Sequence, residues 1–262
     1  MHLKHEAAAW RAAGRTAVVV EVARTRGSVP REAGTRMLVA ADAVAGTIGG
    51  GQLELQSIER ARGHLGRAEA IEQDIALGPA LGQCCGGALT LRYAPLDAAA
   101  LARWPEEAPL FVLQLYGAGH VGRAIVDVLA GVPCRVQWID ERAGEYPAAP
   151  SPPQVERLCV EPAEAEVAQA SPGDFYLVLT HRHDLDLRIT EAVLKRGDFG
   201  FLGLIGSATK RTRFLRRLEQ RGIAPAALAR LTCPIGLPGI EGKAPGVIAV
   251  AAVAQLLQHA RP

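Results

Sequence analysis

Val112-Leu113-Gln114-Leu115-Tyr116-Gly117-Ala118-Gly119-His120-Val121-Gly122 decides the fold of the second half of the chain. The apolar stretch Leu110 to Tyr116 reads as a strand, the glycines as a turn, and the residues up to Ala130 as a helix. Arg135 to Ile139 is a second strand that ends in Asp140, at the distance of roughly 20 residues at which a Rossmann unit places its ribose-binding acid. Gly117 and Gly119 then allow a tight turn and close phosphate approach, and Gly122 lets the helix lie on the strand. Working outward, Val155 to Val160, Phe175 to Thr180 and Phe201 to Ile205 are further strands, expected in the order 3-2-1-4-5. The fold expected over residues 110–262 is a Rossmann-like, doubly wound parallel sheet.

That topology makes the first and fourth strands neighbours, so Gly117 to Gly122 and His181-Arg182-His183-Asp184 face one crevice. His120, His181, His183 and Asp184 are candidates for proton transfer, hydrogen bonding to a heterocycle, or metal contact. An extended His181 and His183 would point to opposite sides, which weakens a paired metal site. Gly206-Ser207 opens a basic helix running to about Arg221. Lys210, Arg213, Arg217 and Arg221 recur on one helical face. Ser207, the free helix-start amides and Lys210 suit an anion, and the later arginines suit a protein partner. The net charge of +2 excludes little. One basic helix without interleaved aromatics argues against nucleic acid as a ligand.

The first half reads differently. Strands at Thr16 to Thr25 and Thr35 to Ala41 flank the turn Gly27-Ser28-Val29-Pro30, and Gly46-Thr47-Ile48-Gly49-Gly50-Gly51 leads into a helix from Gln52 to about Leu65. Gly49, Gly50, Gly51 and Gln52 form either a tight connection or a loop whose backbone amides meet an anion. Strands at Ile71 to Leu77 and Ala88 to Tyr93 complete an α+β domain over residues 1–94. Residues 95–109, with Pro95, Pro105 and paired glutamates, read as a linker containing at most a short helix.

Between those two strands lies Gly82-Gln83-Cys84-Cys85-Gly86-Gly87. Two adjacent thiols beside glycines suit an accessible, reactive sulfur, with Gln83, Gly86 and Gly87 around it. Five cysteines, an odd number, in a chain lacking an apolar leader point to a reducing, cytoplasmic setting. No stretch reaches the ~20 apolar residues of a membrane span. A content of 49% hydrophobic and 21% charged residues is that of a globular protein.

Taken together, Gly27 to Arg31, Gly46 to Glu54, Leu81 to Gly87, Gly117 to Gly122, Gly203 to Ser207 and Cys233-Pro234-Ile235-Gly236-Leu237-Pro238-Gly239-Ile240 resemble the XdhC/CoxI family of xanthine dehydrogenase accessory proteins, in order and over nearly the whole chain. His181 to Asp186 is similar to a Thr-His-x-His-Asp stretch of that family, with Arg182 at the variable position. The resemblance implies a cytoplasmic, homodimeric molybdenum cofactor chaperone rather than an enzyme with turnover. Such a protein binds the molybdenum-molybdopterin cofactor, supports its sulfuration together with a cysteine desulfurase, and delivers it to the molybdenum subunit of xanthine dehydrogenase. Cys85, or Cys84, would contact molybdenum or carry sulfur. An NAD(P)-dependent oxidoreductase using Gly117 to Gly122 and Asp140 is one alternative; a pure protein-interaction adaptor is the other.

Overall fold

The computed structural model describes residues 2–78, 86–105 and 108–260. Contacts divide the chain into two compact units, Met1–Glu106 and Glu107–Pro262. Among the described residues, no helix is long and apolar enough to cross a membrane.

The first unit is a five-stranded antiparallel sheet of β1 (Ala17–Arg26), β2 (Arg36–Ala40), β3 (Val44–Gly46), β4 (Ile71–Ala76) and β5 (Ala88–Pro95), in the order β3-β2-β1-β5-β4. Central β1 is buried on both faces because successive side chains point opposite ways. Val18, Val20 and Val22 join a cluster with Leu53 and Ala61 of α2 (Gly51–Arg62), whereas Ala17 and Val19 join Ala7 and Trp10 of α1 (His2–Ala12). Pro95 to Pro109, read from sequence as a linker, contains the short α3 (Ala98–Ala102), whose Asp97 cap accepts from the Ala100 amide at 2.6 Å. Leu96 and Trp104, on either side of α3, are buried with Trp10. Lys4 of α1 donates to the Trp104 carbonyl at 3.1 Å, so residues 95–104 pack as part of the first unit.

The second unit is a six-stranded parallel sheet in the order β11-β10-β9-β6-β7-β8. Its strands are β6 (Val112–Tyr116), β7 (Arg135–Asp140), β8 (Val155–Cys159), β9 (Phe175–Val178), β10 (Phe201–Leu204) and the two-residue β11 (Leu231–Thr232). Read from β8, this is the expected 3-2-1-4-5 order, extended by β11. Every residue of β9 and β10 is buried, as expected when helices cover both faces of a parallel sheet. One face packs on α4 (His120–Leu129) and α8 (Pro245–His259) through Ile125, Leu129, Ala249 and Leu256. The other carries Leu187 and Val193 of α5 (His183–Arg196), Phe214 and Leu218 of α6 (Ala208–Gln220), and Leu228 of α7 (Pro225–Leu228). β6 and β9 are adjacent and parallel, and the helices that follow them, α4 and α5, pack on opposite faces of the sheet. The crevice of a doubly wound sheet opens at this point.

Candidate functional site

The crevice is built around the loop after β6. Gly117 has φ 120°, in the region that favours glycine, and a side chain there would collide with the Leu179 carbonyl. A side chain at Gly122 would collide with the Gly117 carbonyl, so this third glycine lets α4 lie against the strand end. The loop is held from three sides. Trp138 Nε1 donates to Gly117 O at 3.0 Å, Arg123 Nε to Ala118 O at 3.0 Å, and the Ala118 amide to Asp140 Oδ2 at 2.7 Å. Gly119 differs from its neighbours. A Cβ there would meet nothing within 4 Å, and α4 has no side-chain cap. Among the described residues, no protein acceptor takes the amides of Gly119 or His120. The positive end of α4 therefore faces open space at the one glycine where a ligand has room.

Asp140, expected from sequence at the ribose-binding position, is engaged by donors of its own chain. Its side chain is buried and holds Arg142 through both oxygens, with Oδ1 3.0 Å from Nε and Oδ2 3.0 Å from Nη2, while Oδ1 also takes the Arg142 amide at 2.9 Å. Burial pushes its carboxyl up, but the Arg142 guanidinium and the Ala118 and Arg142 amides outweigh that and hold it below the ordinary carboxylate value. Asp140 thus fixes the glycine loop and is saturated with donors of its own chain.

On the β9 side, His181, His183 and Asp184 are exposed, as is His120. Asp184 pairs with Arg188 at 3.0 Å, and none of the three histidines has a hydrogen-bond partner among the described residues. Among the described residues, no group of three His, Cys, Asp or Glu side chains is assembled that could hold a metal ion. Arg182 reaches Glu141, the residue after β7, at 2.9 Å.

The residue that organises this edge is Asp186, which the sequence reading placed in the histidine motif without giving it a role. It is 1% exposed, accepts the Thr180 amide at 2.9 Å and hydroxyl at 2.7 Å, and pairs with Lys210 Nζ at 2.6 Å. Lys210 also donates to Ile205 O at 2.8 Å. Its ammonium, expected from sequence to hold an anion, is thus directed inward to Asp186 and the Ile205 carbonyl. Gly206 serves that arrangement: a Cβ there would stand 2.5 Å from Lys210 Cδ. Ser207 caps α6 by accepting the Lys210 amide at 3.2 Å. Arg221 pairs with Glu191. The four basic residues therefore do not form one free face; Arg213 and Arg217, with Arg216, remain exposed and without ion pairs among the described residues.

In the first unit, three glycine motifs meet by close backbone approach. A Cβ on Gly27 would lie 3.2 Å from Gly87 Cα, one on Gly87 would collide with the Ser28 and Arg26 carbonyls, and one on Gly49 would stand 2.7 Å from Pro30 Cβ. The amides expected to meet an anion at Gly49 to Gly51 are largely taken internally. Glu54 accepts from the Ile48 amide at 3.0 Å, the Gly50 amide at 3.1 Å and the Thr47 hydroxyl, and the Gly49 amide bonds Thr47 Oγ1 at 3.1 Å. Gly51 and Gln52, at the start of α2, are exposed. Gly86 has open space around it. Gln83, Cys84 and Cys85 lie outside the described residues. Of the described thiols, Cys134 and Cys233 are buried and Cys159 is exposed. Burial pushes Cys134 up to about 11 and raises Cys233 despite the nearby Lys210 and Arg211.

The chain thus joins an antiparallel α/β unit to a Rossmann-like parallel-sheet unit whose glycine turn opens a helix. Residues 113–256 match the XdhC Rossmann domain and residues 10–73 the XdhC and CoxI family; the chain belongs to the XdhC and CoxI family. It is similar to YqeB of Escherichia coli (strain K12), with 31% identity over 255 residues, covering 92% of this chain and 43% of that protein. The chain thus spans less than half the length of that curated relative. A crystal structure from Bacillus halodurans, described as a xanthine dehydrogenase, superposes with a TM-score of 0.74 at 19% identity, over 98% of this chain and 95% of that one. That likeness shows the fold.

Proposed function

We propose that this protein is a molybdenum cofactor chaperone. It binds the molybdenum-molybdopterin cofactor, supports its sulfuration together with a cysteine desulfurase, and passes it, as a homodimer in the cytoplasm, to the molybdenum subunit of xanthine dehydrogenase. Membership of the XdhC and CoxI family supports the accessory role. The observation that carries the cofactor part is the start of α4, where Gly119 leaves open space beside two unpartnered amides. These residues fit the phosphate of a phosphorylated pterin: the backbone donates, the helix end favours negative charge, and no side chain blocks the approach. The bound cofactor would supply the molybdenum centre that is to be sulfurated. Cys85 and Cys84 are our candidates for soft contact with that centre or for sulfur carriage. Buried Cys134 and Cys233 suit that role less, since desolvation keeps both thiols neutral near pH 7.

The saturated carboxylate of Asp140 weighs against the nicotinamide reading, because a ribose would have to displace Arg142 or Ala118 from it. Denaturing extraction of the purified protein followed by assay of pterin and molybdenum is expected to find both. Gly119→Val, which fills the open position without entering a strained backbone region, is expected to lower cofactor content at least tenfold while leaving the thermal transition in place. Unchanged content in the folded variant would remove this turn from the site.

A further inference from the structure

The sequence of α8, Pro-Gly-Val-Ile-Ala-Val-Ala-Ala-Val-Ala-Gln-Leu-Leu-Gln-His, contains no Asp, Glu, Lys or Arg. A helix on the outside of a globular unit ordinarily divides into an apolar and a charged face, and a helix that is apolar all round is ordinarily covered all round. α8 is covered on part of its circumference. Ala249, Ala252, Val253 and Leu256 pack in the cluster with α4 and the sheet, and Ala251 and Gln255 meet the loop at Gly236, whose amide Gln255 Oε1 accepts at 2.9 Å. The remaining side carries Val250, Ala254 and Leu257, at four- and three-residue spacing on one stripe. Val250 is 51% exposed and Leu257 40%.

This stripe is bordered by α4, which packs along α8 and is itself half-open at Val121, Ala124 and Val128, again at helical spacing. The two helices run parallel. α4 starts at the glycine turn, where the strands end, and the last residue of α8, His259, has its ring centroid 4.6 Å from that of Phe201, the first residue of β10. The outer side of α8 is therefore an apolar strip with no ionised side chain over four turns, and exposed apolar surface of this kind marks an interface.

We propose that the strip pairs with α8 of a second copy, antiparallel, about a twofold axis near the middle of the helix; this rests on the homodimer of the proposed function and gives it a surface. An isologous contact sets a patch against itself, so any charge in the patch meets its like, and this strip holds none. The helix ends supply the complementarity. α8 starts without a side-chain cap, and an antiparallel pair sets that positive start beside the carbonyl end of the other copy, whereas a parallel pair sets like ends together. Because α4 and α8 start at the same edge of the sheet, the pairing leaves the two glycine turns at opposite ends of the dimer, each open to its own ligand.

Sedimentation equilibrium of the full chain from about 1 to 100 µM tests the pairing and is expected to show a dimer. Val250→Lys and Val250→Glu each set like charges against one another near the axis, and each is expected to weaken self-association at least about a hundredfold. Both variants should keep the native far-ultraviolet circular dichroism spectrum, since the position is exposed. An equimolar mixture of the two is expected to re-form the dimer that neither forms alone. Leu257→Lys and Leu257→Glu should weaken it as well, but their mixture should not recover, because in an antiparallel pair the two copies of this position stand roughly 15 Å apart along the helix. An unchanged dimer in both Val250 variants would overturn the α8 pairing and leave the homodimer standing, while a monomer throughout the range would overturn both. Recovery in the Leu257 mixture would overturn the antiparallel arrangement. Loss of association with xanthine dehydrogenase in a Val250 variant that still dimerises would give the face to that enzyme instead.

Discussion

Asp140 shows how one buried carboxylate can hold a glycine loop in place. It joins the Ala118 amide to Arg142, and Trp138 and Arg123 complete the hold on the turn. Replacing it by Asn removes charge-assisted bonds from a buried position, so Asp140→Asn is expected to cost about 1–3 kcal/mol at pH 7, read from denaturant midpoints. The sign of the pH dependence follows from linkage. The folded carboxyl titrates below its ordinary value of 3.8, so its contribution is complete above that pH and is lost as pH falls through the folded value. The gap between wild type and variant should close below that point. A gap that stays constant from pH 7 to pH 3 would show that the carboxylate charge is not what holds the loop. From sequence, the position of Asp140 was legible and its role was not. The spacing marks an acid at the strand end, but nothing in the spacing says that Arg142, two residues on, folds back to occupy it.

At the scale of elements, α6 divides its basic residues by direction. Lys210 turns inward to Asp186 and Arg221 sideways to Glu191, leaving Arg213, Arg216 and Arg217 exposed. A partner-binding role for this helix therefore rests on those three arginines. In our reading, Arg213→Glu with Arg217→Glu weakens association with xanthine dehydrogenase at least tenfold at low ionic strength and flattens its salt dependence. Stability should change by less than about 0.5 kcal/mol per site, because exposed positions without partners contribute little to folding. Unaltered association would assign the face to solvent. The helical spacing that put four cations on one face was correct as periodicity, and long flexible side chains then left that face for buried or neighbouring carboxylates. Similar reasons decide which elements could be read. β6, α4 and β7 carry strong apolar runs punctuated by glycine. α1 buries chiefly Ala7 and Trp10 and has too narrow an apolar stripe to announce itself, and the two-residue β11 is too short to show a period.

For the whole molecule, each unit brings one half of the proposed chemistry. The second offers the open helix start, and the first carries the glycine cluster from which the cysteine motif departs at Gly86 and Gly87. Cys85→Ala removes a soft nucleophile at little steric cost. We expect the full chain to keep its thermal transition yet lose molybdenum retention or activation of the dehydrogenase, with Cys84→Ala affected less. Full activity of the Cys84→Ala, Cys85→Ala double variant would exclude a thiol role.

Glu54 adds a condition on anion binding at the glycine loop of the first unit. Its carboxylate already sits on the Ile48 and Gly50 amides and belongs to the same chain, so its local concentration there is that of a tethered group and does not fall on dilution. A free phosphate arriving at this loop must displace an anion that never diffuses away. In our proposal this loop is thereby insulated against the abundant small anions of a cell, and selection among phosphorylated molecules falls to the second unit, where no such resident competitor exists at Gly119 among the described residues.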